Sequence, residues 1–492
     1  MLITDHLSQI TSRNMARPAF RYLGKETNYA ELRSAIARLS YLYTNELGKN
    51  ARVALIARNS PAVIMSFFAF ANCRALTIPL DPDALPDELI ASLKETRATH
   101  IGVTSDLVAK VRELLQSAHV SIPIIEIERK QGGEYDTSFS PAPDFKPLDT
   151  DPILALKTSG NRGKSRFVTL NHKQIQHASV SLRGLYSLLP TDRAHTVMNW
   201  AHPFAWVHGM LLPLMNGATA VIDHGLEGAE QLKFLTEARV TRLIGIPSYF
   251  YKLLITCKNE KQGLPGTKSV TVSLGALAPE AEKVFEGLKI QVLHCYGQTE
   301  NTWTLTVNQK PLPGVQYRVL DENGDAVESK DEREGQLAVS GPTVMVNYLD
   351  REVESKTVLR GTWLHTGDIV KMVDEEDGLK ITFLGRKEEV ALVSGEFQTL
   401  HPIGKLVKKI SGVQDAAGFI TARANGELVI AVAVVKVNGS PLNERQILDQ
   451  CSSQLYAGLT PTVAVFTDAI PRDRGGNINT VRLRGHFSGV AG

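Results

Sequence analysis

A short basic loop in the first third of the chain has the composition of a phosphate-binding loop. It reads Thr158-Ser159-Gly160-Asn161-Arg162-Gly163-Lys164-Ser165-Arg166 and follows an apolar run. Glycines let backbone N–H groups approach an anion, hydroxyls donate hydrogen bonds, and Lys164 and Arg166 add positive charge. A surface turn of similar composition is the alternative at this point. A Walker-type loop is excluded, because Thr158 stands where that motif needs a glycine.

Further elements follow the loop along the chain. They are Tyr296-Gly297-Gln298-Thr299-Glu300, Thr366-Gly367-Asp368 and Gly385-Arg386-Lys387-Glu388-Glu389. With the loop, they resemble in order and spacing the TSGTTGxPKG, YGxTE, TGD and GRxDD motifs of the adenylate-forming superfamily. This superfamily includes acyl-CoA synthetases, firefly-type luciferases and the adenylation domains of peptide synthetases. The resemblance spans nearly the whole chain and implies a ligase of the AMP-forming, acyl-CoA synthetase type.

The resemblance implies a reaction and a set of phosphate contacts. ATP and a carboxylic acid would give an acyl-adenylate and pyrophosphate, which mainly requires positioning and charge neutralisation. Carried over, Thr299 would bond the α-phosphate, Glu300 would hold Mg²⁺, and Arg166 would keep positive charge at the loop. The residues that would cradle the β- and γ-phosphates are Thr158, Ser159, Gly160, Gly163 and Lys164.

The nucleoside contacts are implied in the same way. Asp368 would accept both ribose hydroxyls, a task suited to a carboxylate, and Arg386 would support the ribose side. The residues expected beside the adenine are Gly275, Ala276, Tyr296 and Gly297. As isolated dipeptides, Thr-Glu and Gly-Asp are ordinary turn sequences, so it is their ordered context that favours nucleotide binding.

The stretch at 202–210, His-Pro-Phe-Ala-Trp-Val-His-Gly-Met, falls where the superfamily forms the wall of the acyl pocket. Trp206 stands where relatives often have histidine, and a bulky indole there would shorten or flatten the pocket. His208 belongs to the same predicted wall. The alternative is that both side chains simply belong to the apolar core.

The most serious departure from the superfamily lies near the C-terminus. The sequence Pro471-Arg472-Asp473-Arg474-Gly475-Gly476-Asn477-Ile478 stands where relatives read PRTxSGKI. Asn477 therefore occupies the position of the catalytic lysine, and asparagine donates a hydrogen bond without neutralising charge. Loss of one such group typically costs about 10²–10³ in rate. Arg472, Arg474 and Arg482 are the cations nearby in sequence.

Other departures concern the second half-reaction. Leu392, Phe397 and Pro402 differ from the residues that usually serve the thioester step. The acceptor is therefore left open between coenzyme A, an acyl carrier protein and an amine. A different alternative is a catalytically weakened member that binds nucleotide or an acyl ligand as a regulatory or scaffold protein, which Asn477 favours.

Composition limits the class of protein. The net charge of +2 comes from evenly spread acids and bases, which gives no basic stripe for nucleic acid. The four cysteines are far apart and form no Cys-x-x-Cys pair, so neither a zinc site nor a disulfide framework is expected. No apolar run is as long as the roughly 18 residues that a helix needs to span a bilayer. We expect a cytoplasmic enzyme without a membrane span, and small carboxylic acids as its partners.

The pattern along the chain predicts an α/β fold. Short apolar runs alternate with amphipathic ones at 53–95 and again at 220–293, which is typical of βαβ units and mostly parallel sheets. Residues 128–150 are predicted to be a linker, and short strands after 314 predict a β-rich subdomain. We therefore expect a large layered α/β domain at 1–384, which includes this subdomain and binds AMP and the acyl group. A small mobile α+β domain is expected at 385–492.

Overall fold

The structure of the protein is a computed structural model. It describes the chain except for residues 49, 129–145, 159–165, 224, 330, 394–395, 424–427, 456, 473–477 and 488–492. Most of the predicted linker at 128–150 lies outside the described residues.

The described helices and strands follow each other in a mixed order. The helices are α1 (Ile3–Asn14), α2 (Tyr29–Glu46), α3 (Pro61–Asn72), α4 (Pro86–Glu95), α5 (Val108–Ser117), α6 (His172–Leu185), α7 (Leu212–Leu214), α8 (Gly228–Glu237), α9 (Pro247–Asn259), α10 (Pro279–Gly287), α11 (Glu352–Val358), α12 (His401–Val407), α13 (Glu444–Gln454) and α14 (Thr480–Phe487). The strands are β1 (Pro18–Tyr22), β2 (Lys25–Asn28), β3 (Arg52–Ile56), β4 (Leu76–Leu80), β5 (His100–Val103), β6 (Ile124–Glu126), β7 (Pro152–Lys157), β8 (Phe167–Asn171), β9 (Arg193–Thr196), β10 (Thr219–Ile222), β11 (Arg242–Gly245), β12 (Ser269–Val272), β13 (Gln291–Tyr296), β14 (Thr306–Val307), β15 (Lys310–Pro311), β16 (Gln316–Leu320), β17 (Glu332–Ser340), β18 (Asn347–Tyr348), β19 (Leu359–Arg360), β20 (Trp363–Glu375), β21 (Gly378–Arg386), β22 (Val390–Val393), β23 (Glu396–Thr399), β24 (Val413–Ala422), β25 (Leu428–Lys436) and β26 (Val463–Phe466).

The chain divides into two compact units. The first contains Met1–Thr158, Arg166–Val315 and Ser340–Thr357, and the second contains Gln316–Val339 and the described part of Val358–Gly492. The second unit thus takes up β16, most of β17, β20 and β21, which precede the boundary predicted at 384/385. That boundary stays a prediction.

Two large sheets form the first unit. Their strand orders are β15-β14-β13-β12-β11-β9-β10-β1-β2 and β18-β8-β7-β4-β3-β5-β6. Strands β9 to β13 run parallel in the first sheet, and β3 to β7 run parallel in the second. The predicted βαβ rhythm is confirmed, and its physical basis is that parallel strands are covered by helices on both faces. Helix α3 is accordingly apolar almost all round and is buried from Ala62 to Ala71.

The second unit is richer in antiparallel structure, as the short strands after 314 predict. Strands β16, β17, β20 and β19 form a sheet to which β21 adds by pairing with β20. A separate sheet of β24, β25 and β26 packs against α12 and α13 through a small core that includes Ile403, Val432 and Ile447. The predicted fold class, an α/β body with a β-rich part and an α+β C-terminal part, is confirmed.

Within the described residues, no helix is both long and apolar enough to cross a bilayer.

The stability of the first unit should depend on the protonation of His172. This side chain is fully buried, its Nδ1 accepts a hydrogen bond from the Ile3 N–H at 3.2 Å, and burial lowers its pKa to about 4. Because an unfolded histidine titrates near 6.5, the unfolded chain binds more protons between about pH 6.5 and pH 4. The free energy of unfolding therefore falls as the pH decreases through this window, by at most about 1.4 kcal/mol per pH unit from His172.

We expect His172→Asn to make this fall less steep. The asparagine Oδ1 can accept the same hydrogen bond and does not titrate. Urea unfolding at several values from pH 7 to pH 4.5 measures the slope, and His119→Asn, at an exposed position, is the control that should keep the wild-type slope. Equal slopes for the wild type and His172→Asn would contradict the prediction.

Candidate functional site

The ends of the glycine-rich loop are held together by a hairpin. Strands β7 and β8 pair in antiparallel register. The Thr158 N–H donates to the Arg166 carbonyl at 2.8 Å, and the Arg166 N–H donates to the Thr158 hydroxyl at 3.0 Å. Both ends of the loop are therefore fixed at one edge of the sheet. The other predicted loop residues, Ser159, Gly160, Gly163 and Lys164, lie outside the described residues.

The Arg166 side chain is oriented by two neighbours. Its Nε donates to Glu354 Oε2 at 2.5 Å, and its guanidinium lies 5.1 Å from the centre of the Tyr348 ring. The hydrogen bond from Arg166 lowers the pKa of Glu354, and Arg351 donates to the same carboxylate. Arg351 also donates to Glu95, at 2.7 Å. The guanidinium at the loop is thus part of a network of alternating charges.

Glu300 lies in a short 3-10 turn, Thr299–Asn301, directly after β13. Its Oε1 accepts a hydrogen bond from the Tyr348 hydroxyl at 2.8 Å, and its backbone carbonyl accepts one from the Met345 N–H. Thr299 is almost fully buried, whereas the Glu300 side chain is only half-buried. A partly exposed carboxylate with one oxygen already oriented fits the oxygen ligands that Mg²⁺ prefers.

The backbone around this turn is tightly constrained. A Cβ added at Gly297 would lie 2.2 Å from the Trp303 carbonyl oxygen, so only glycine fits there. Thr302 and Trp303 both adopt left-handed conformations, with φ of 58° and 66°. A β-branched residue in this region is a strained exception that the surrounding structure must stabilise. The turn is therefore held in a defined geometry at an energetic cost.

The residues predicted beside the adenine follow two neighbouring parallel strands. Val272 pairs with His294 in the β12–β13 register, so the segment 273–276 after β12 and the segment 297–300 after β13 follow the same edge of the sheet. Gly275 and Ala276 are exposed there, and Tyr296 is half-buried. The carboxyl edge of parallel strands is the usual ligand-binding edge of an α/β sheet. The first unit thus brings Gly275, Ala276, Tyr296, Gly297, Thr299 and Glu300 to one edge.

The predicted acyl wall forms an irregular helix. Residues Ala205–Leu211 adopt a π-helix, a rare form that is frequent at functional sites. Trp206 is 1% exposed and packs edge-to-face on Phe67, with 5.1 Å between the ring centres. Both Trp206 and His208 are buried, and the pocket role predicted for them stays a prediction.

His208 is the centre of a buried polar network. Its Nδ1 lies 2.9 Å from the Tyr186 hydroxyl and its Nε2 lies 2.9 Å from the Thr304 hydroxyl, with Cys295 Sγ at 3.7 Å. Burial lowers the pKa of His208 to about 3 and raises that of Cys295 to about 12. The imidazole and the thiol therefore stay neutral near pH 7 and connect the π-helix to β13.

Asp368 and Arg386 lie together in the second unit. They face each other in the β20–β21 register, and the Arg386 guanidinium forms an ion pair with the Asp368 carboxylate. The Asp368 side chain is fully buried. Burial raises the pKa of the neighbouring Glu389, and the positive charge of Arg386 opposes this shift. The two residues predicted for the ribose are thus joined directly.

The residues that depart from the superfamily are placed only in part. Asn477 and Arg474 lie outside the described residues, and so does the side chain of Leu392. The Phe397 N–H donates to Glu334, and Pro402 is the second residue of helix α12. Arg472 donates to both carboxylate oxygens of Asp415, at 2.8 and 3.1 Å.

Three residues of the site carry no motif that assigns them a role from sequence. They are Tyr348, Glu354 and Thr304. No periodicity marks them, because each acts through a contact with a residue at least nine positions away. The resemblance to the superfamily extends over 335–348 and so reaches Tyr348, but it assigns this residue no role.

Comparison with known proteins gives the family. The family model described as AMP-binding enzyme matches residues 7–349, which is more than half of the chain. The chain is 22% identical to the indoleacetate–CoA ligase of Aromatoleum aromaticum, over 98% of both chains. It is 23% identical to a feruloyl-CoA synthase of an Amycolatopsis species, over 95% of this chain and 96% of the relative.

Solved structures have the same fold. ATP-bound MatB from Rhodopseudomonas palustris superposes with a TM-score of 0.79 at 20% identity, covering 100% of both chains. The anthranilate CoA ligase AuaEII in complex with anthranoyl-AMP superposes with a TM-score of 0.76 at 18% identity, covering 99% of this chain and 97% of that chain. The chain belongs to the AMP-binding enzyme family, and thereby to the adenylate-forming superfamily of the acyl-CoA synthetase type.

Proposed function

We propose that this protein activates a small carboxylic acid with ATP and passes the acyl group on to coenzyme A. The observation that carries the proposal is the hydrogen bond from Tyr348 to Glu300, with Arg166 over the same tyrosine ring. The Tyr348 side chain thereby contacts both the Glu300 carboxylate and the Arg166 guanidinium. These two residues are 134 positions apart in the sequence. The relatives named as CoA ligases for aromatic acids support the same type of reaction.

The proposed first step is an in-line displacement. The acid's carboxylate oxygen attacks the α-phosphorus of ATP, and the bond to the β-phosphate oxygen breaks, so that pyrophosphate leaves. Thr299 would donate to the α-phosphate, and the loop at 158–164 with Arg166 would bind the β- and γ-phosphates. Glu300 would hold Mg²⁺, which neutralises phosphate charge when bound. The residues supply orientation and charge rather than a covalent intermediate.

Asp368 is the proposed ribose acceptor of the second unit. A carboxylate accepts hydrogen bonds from both ribose hydroxyls, and the ion pair with Arg386 places a positive charge beside the buried Asp368 side chain. Tyr296, Gly297, Gly275 and Ala276 would lie beside the adenine. A cytoplasmic location is part of this proposal.

A catalytically weakened binding protein is the second candidate, and Asn477 favours it. Without the lysine, the transition state loses a positive charge, which typically costs roughly 3–4 kcal/mol. An acyl carrier protein or an amine remains the alternative acceptor to coenzyme A for an active enzyme. These possibilities differ in whether the acyl-adenylate forms and in where it goes.

We expect Asn477→Lys to increase ATP–pyrophosphate exchange about 10²–10³-fold, because it restores the missing charge. Exchange would be measured across a panel of aliphatic and aromatic acids without coenzyme A, and products with coenzyme A or an amine would be scored separately. Asp368→Asn in both backgrounds is the control that should lower exchange. If wild type and Asn477→Lys are both silent although each binds ATP, the binding protein is the better description.

The Tyr348 hydroxyl should set the affinity for Mg²⁺. Tyr348→Phe removes the hydrogen bond that orients Glu300 and leaves the ring under Arg166 in place. Loss of such an orienting partner typically costs about 10–100-fold in metal affinity. We expect a tenfold or larger increase in the Mg²⁺ concentration for half-maximal exchange by the Asn477→Lys enzyme. Tyr41→Phe, at an exposed tyrosine, is the matched control; an unchanged Mg²⁺ requirement in Tyr348→Phe would contradict this role for Glu300.

Arg472 is the cation that we expect to compensate in part for Asn477. Its pair with Asp415 is partly exposed, and Lys408 also contacts that carboxylate, so its release costs only about 0–1 kcal/mol. Arg472→Gln should therefore lower exchange by the wild type at least about tenfold, and have a much smaller effect in Asn477→Lys. Lys408→Gln removes the other cation at Asp415 and should leave exchange unchanged. Equal losses in both backgrounds would show that Arg472 acts only through the fold.

A further inference from the structure

Two tryptophans of the first unit have buried indole N–H groups without an acceptor. Trp200 is 3% exposed and Trp206 is 1% exposed. Among the described residues, neither Nε1 atom has a hydrogen-bond partner. Buried N–H groups are nearly always paired, because an unpaired one loses its hydrogen bond to water without replacement. Two such groups close together in sequence therefore require an explanation.

Both indoles line the same small cavity. Its volume is about 10 Å³, roughly the space that one water-sized molecule needs. The apolar part of its wall is formed by Leu55, Ala57, Val63, Pro79, Leu80 and Ala201, which come from the ends of β3 and β4, the start of α3 and the segment after β9. Apart from the two indoles, Asn59 is the polar residue of the lining. The cavity thus lies at the carboxyl ends of two parallel strands.

Asn59 is already used by the protein backbone. Its Nδ2 donates to the Met198 carbonyl at 2.9 Å, and its Oδ1 accepts from the Trp200 N–H at 2.8 Å. These bonds fix the chain entering the Trp200 turn. Gly209 allows the π-helix to lie close to Thr196 and to the Trp200 indole. A Cβ at this position would lie 2.3 Å from the Thr196 methyl group and 3.4 Å from Trp200 Nε1. The indoles are therefore held in place by their surroundings.

We propose that this cavity is a binding site for one hydrogen-bond-accepting oxygen, held by the N–H groups of Trp200 and Trp206. An oxygen with two lone pairs satisfies both donors at once. The chemistry of the lining does not suit a cation, since an indole N–H only donates and the Asn59 Oδ1 already accepts from the Trp200 backbone N–H. The oxygen belongs either to a water molecule or to the far end of the acid substrate. The second source rests on the proposed function and on the prediction from the sequence that Trp206 belongs to the wall of the acyl pocket.

A crystal structure of the full-length protein without an acid tests the site directly. We expect one ordered oxygen at about 2.7–3.2 Å from both indole nitrogens. If the structure instead shows either indole turned towards a protein acceptor, or no density within reach of the two nitrogens in both the free and the acid-bound protein, the proposal is wrong. This test needs no variant and does not depend on activity.

A double-mutant cycle tests whether both indoles share one oxygen. Trp200→Phe and Trp206→Phe remove the N–H groups, and each variant alone leaves the remaining donor with a poorer site. If both indoles share one oxygen, the fold-change in the unfolding constant of the double variant should differ roughly tenfold from the product of the two single-variant fold-changes. In the control cycle, Trp200→Phe is combined with Trp303→Phe, whose indole already donates to Ser273. Multiplicative effects in the Trp200–Trp206 cycle would overturn the shared site.

Paired acids distinguish the two sources of the oxygen. ATP–pyrophosphate exchange by Asn477→Lys would be compared for acids of equal length with and without a hydroxyl or carbonyl oxygen at the far end. A preference of about tenfold or more for the oxygenated acid that disappears in Trp206→Phe, but persists in Trp363→Phe, assigns the oxygen to the substrate. No preference, together with an ordered oxygen in the crystal, assigns it to water. If no acid supports exchange, the proposed function is wrong. The crystallographic test of the site still applies in that case, because it does not depend on activity.

Discussion

The site of the first unit depends on the segment 340–357, in which the chain comes back to the first unit after residues 316–339 of the second. Strand β18 pairs with β8 at the base of the glycine-rich loop, and its Tyr348 reaches Glu300. The Tyr348 N–H donates to Ser355, and Glu354 of the same helix binds Arg166. One short segment thus joins the loop, the carboxylate and the guanidinium. Without it, these groups would lie on separate elements with no contact that fixes their distances.

Rigid and strained parts of the site have different physical origins. The rigid part is a neutral, buried hydrogen-bond network formed by His208, Tyr186, Thr304 and Cys295. Burial makes the charged form of each ionisable member costly. The strained part consists of Thr302 and Trp303, whose left-handed conformations cost about 1–3 kcal/mol each. The buried network provides the stability against which this strain can be maintained.

The sequence predicted what depends on local pattern. The alternation at 52–95 gave the correct order of β3, α3, β4 and α4, because buried parallel strands and their covering helices have recognisable periods. The motifs name residues that lie at the carboxyl edge of β12 and β13, since order and spacing are read directly, and the roles of these residues stay predictions. The division into units was less accessible, because it depends on β17, which also pairs with β16, pairing with β20 across an intervening segment. Likewise, the contact of Tyr348 with Glu300 spans 48 positions and leaves no periodic signal.

The balance of charge near the C-terminus decides how much Asn477 matters. A lysine at that position would be worth roughly 3–4 kcal/mol in the transition state. Arg472 is held by Asp415, but this partly exposed pair is worth only about 0–1 kcal/mol, and Lys408 keeps the carboxylate compensated. Under the proposed function, an arginine that leaves Asp415 for the developing charge would therefore gain more free energy than the ion pair loses. The Asn479 N–H donates to the Pro471 carbonyl, so the residues that flank 473–477 are held together by a backbone bond that does not depend on the pair between Arg472 and Asp415.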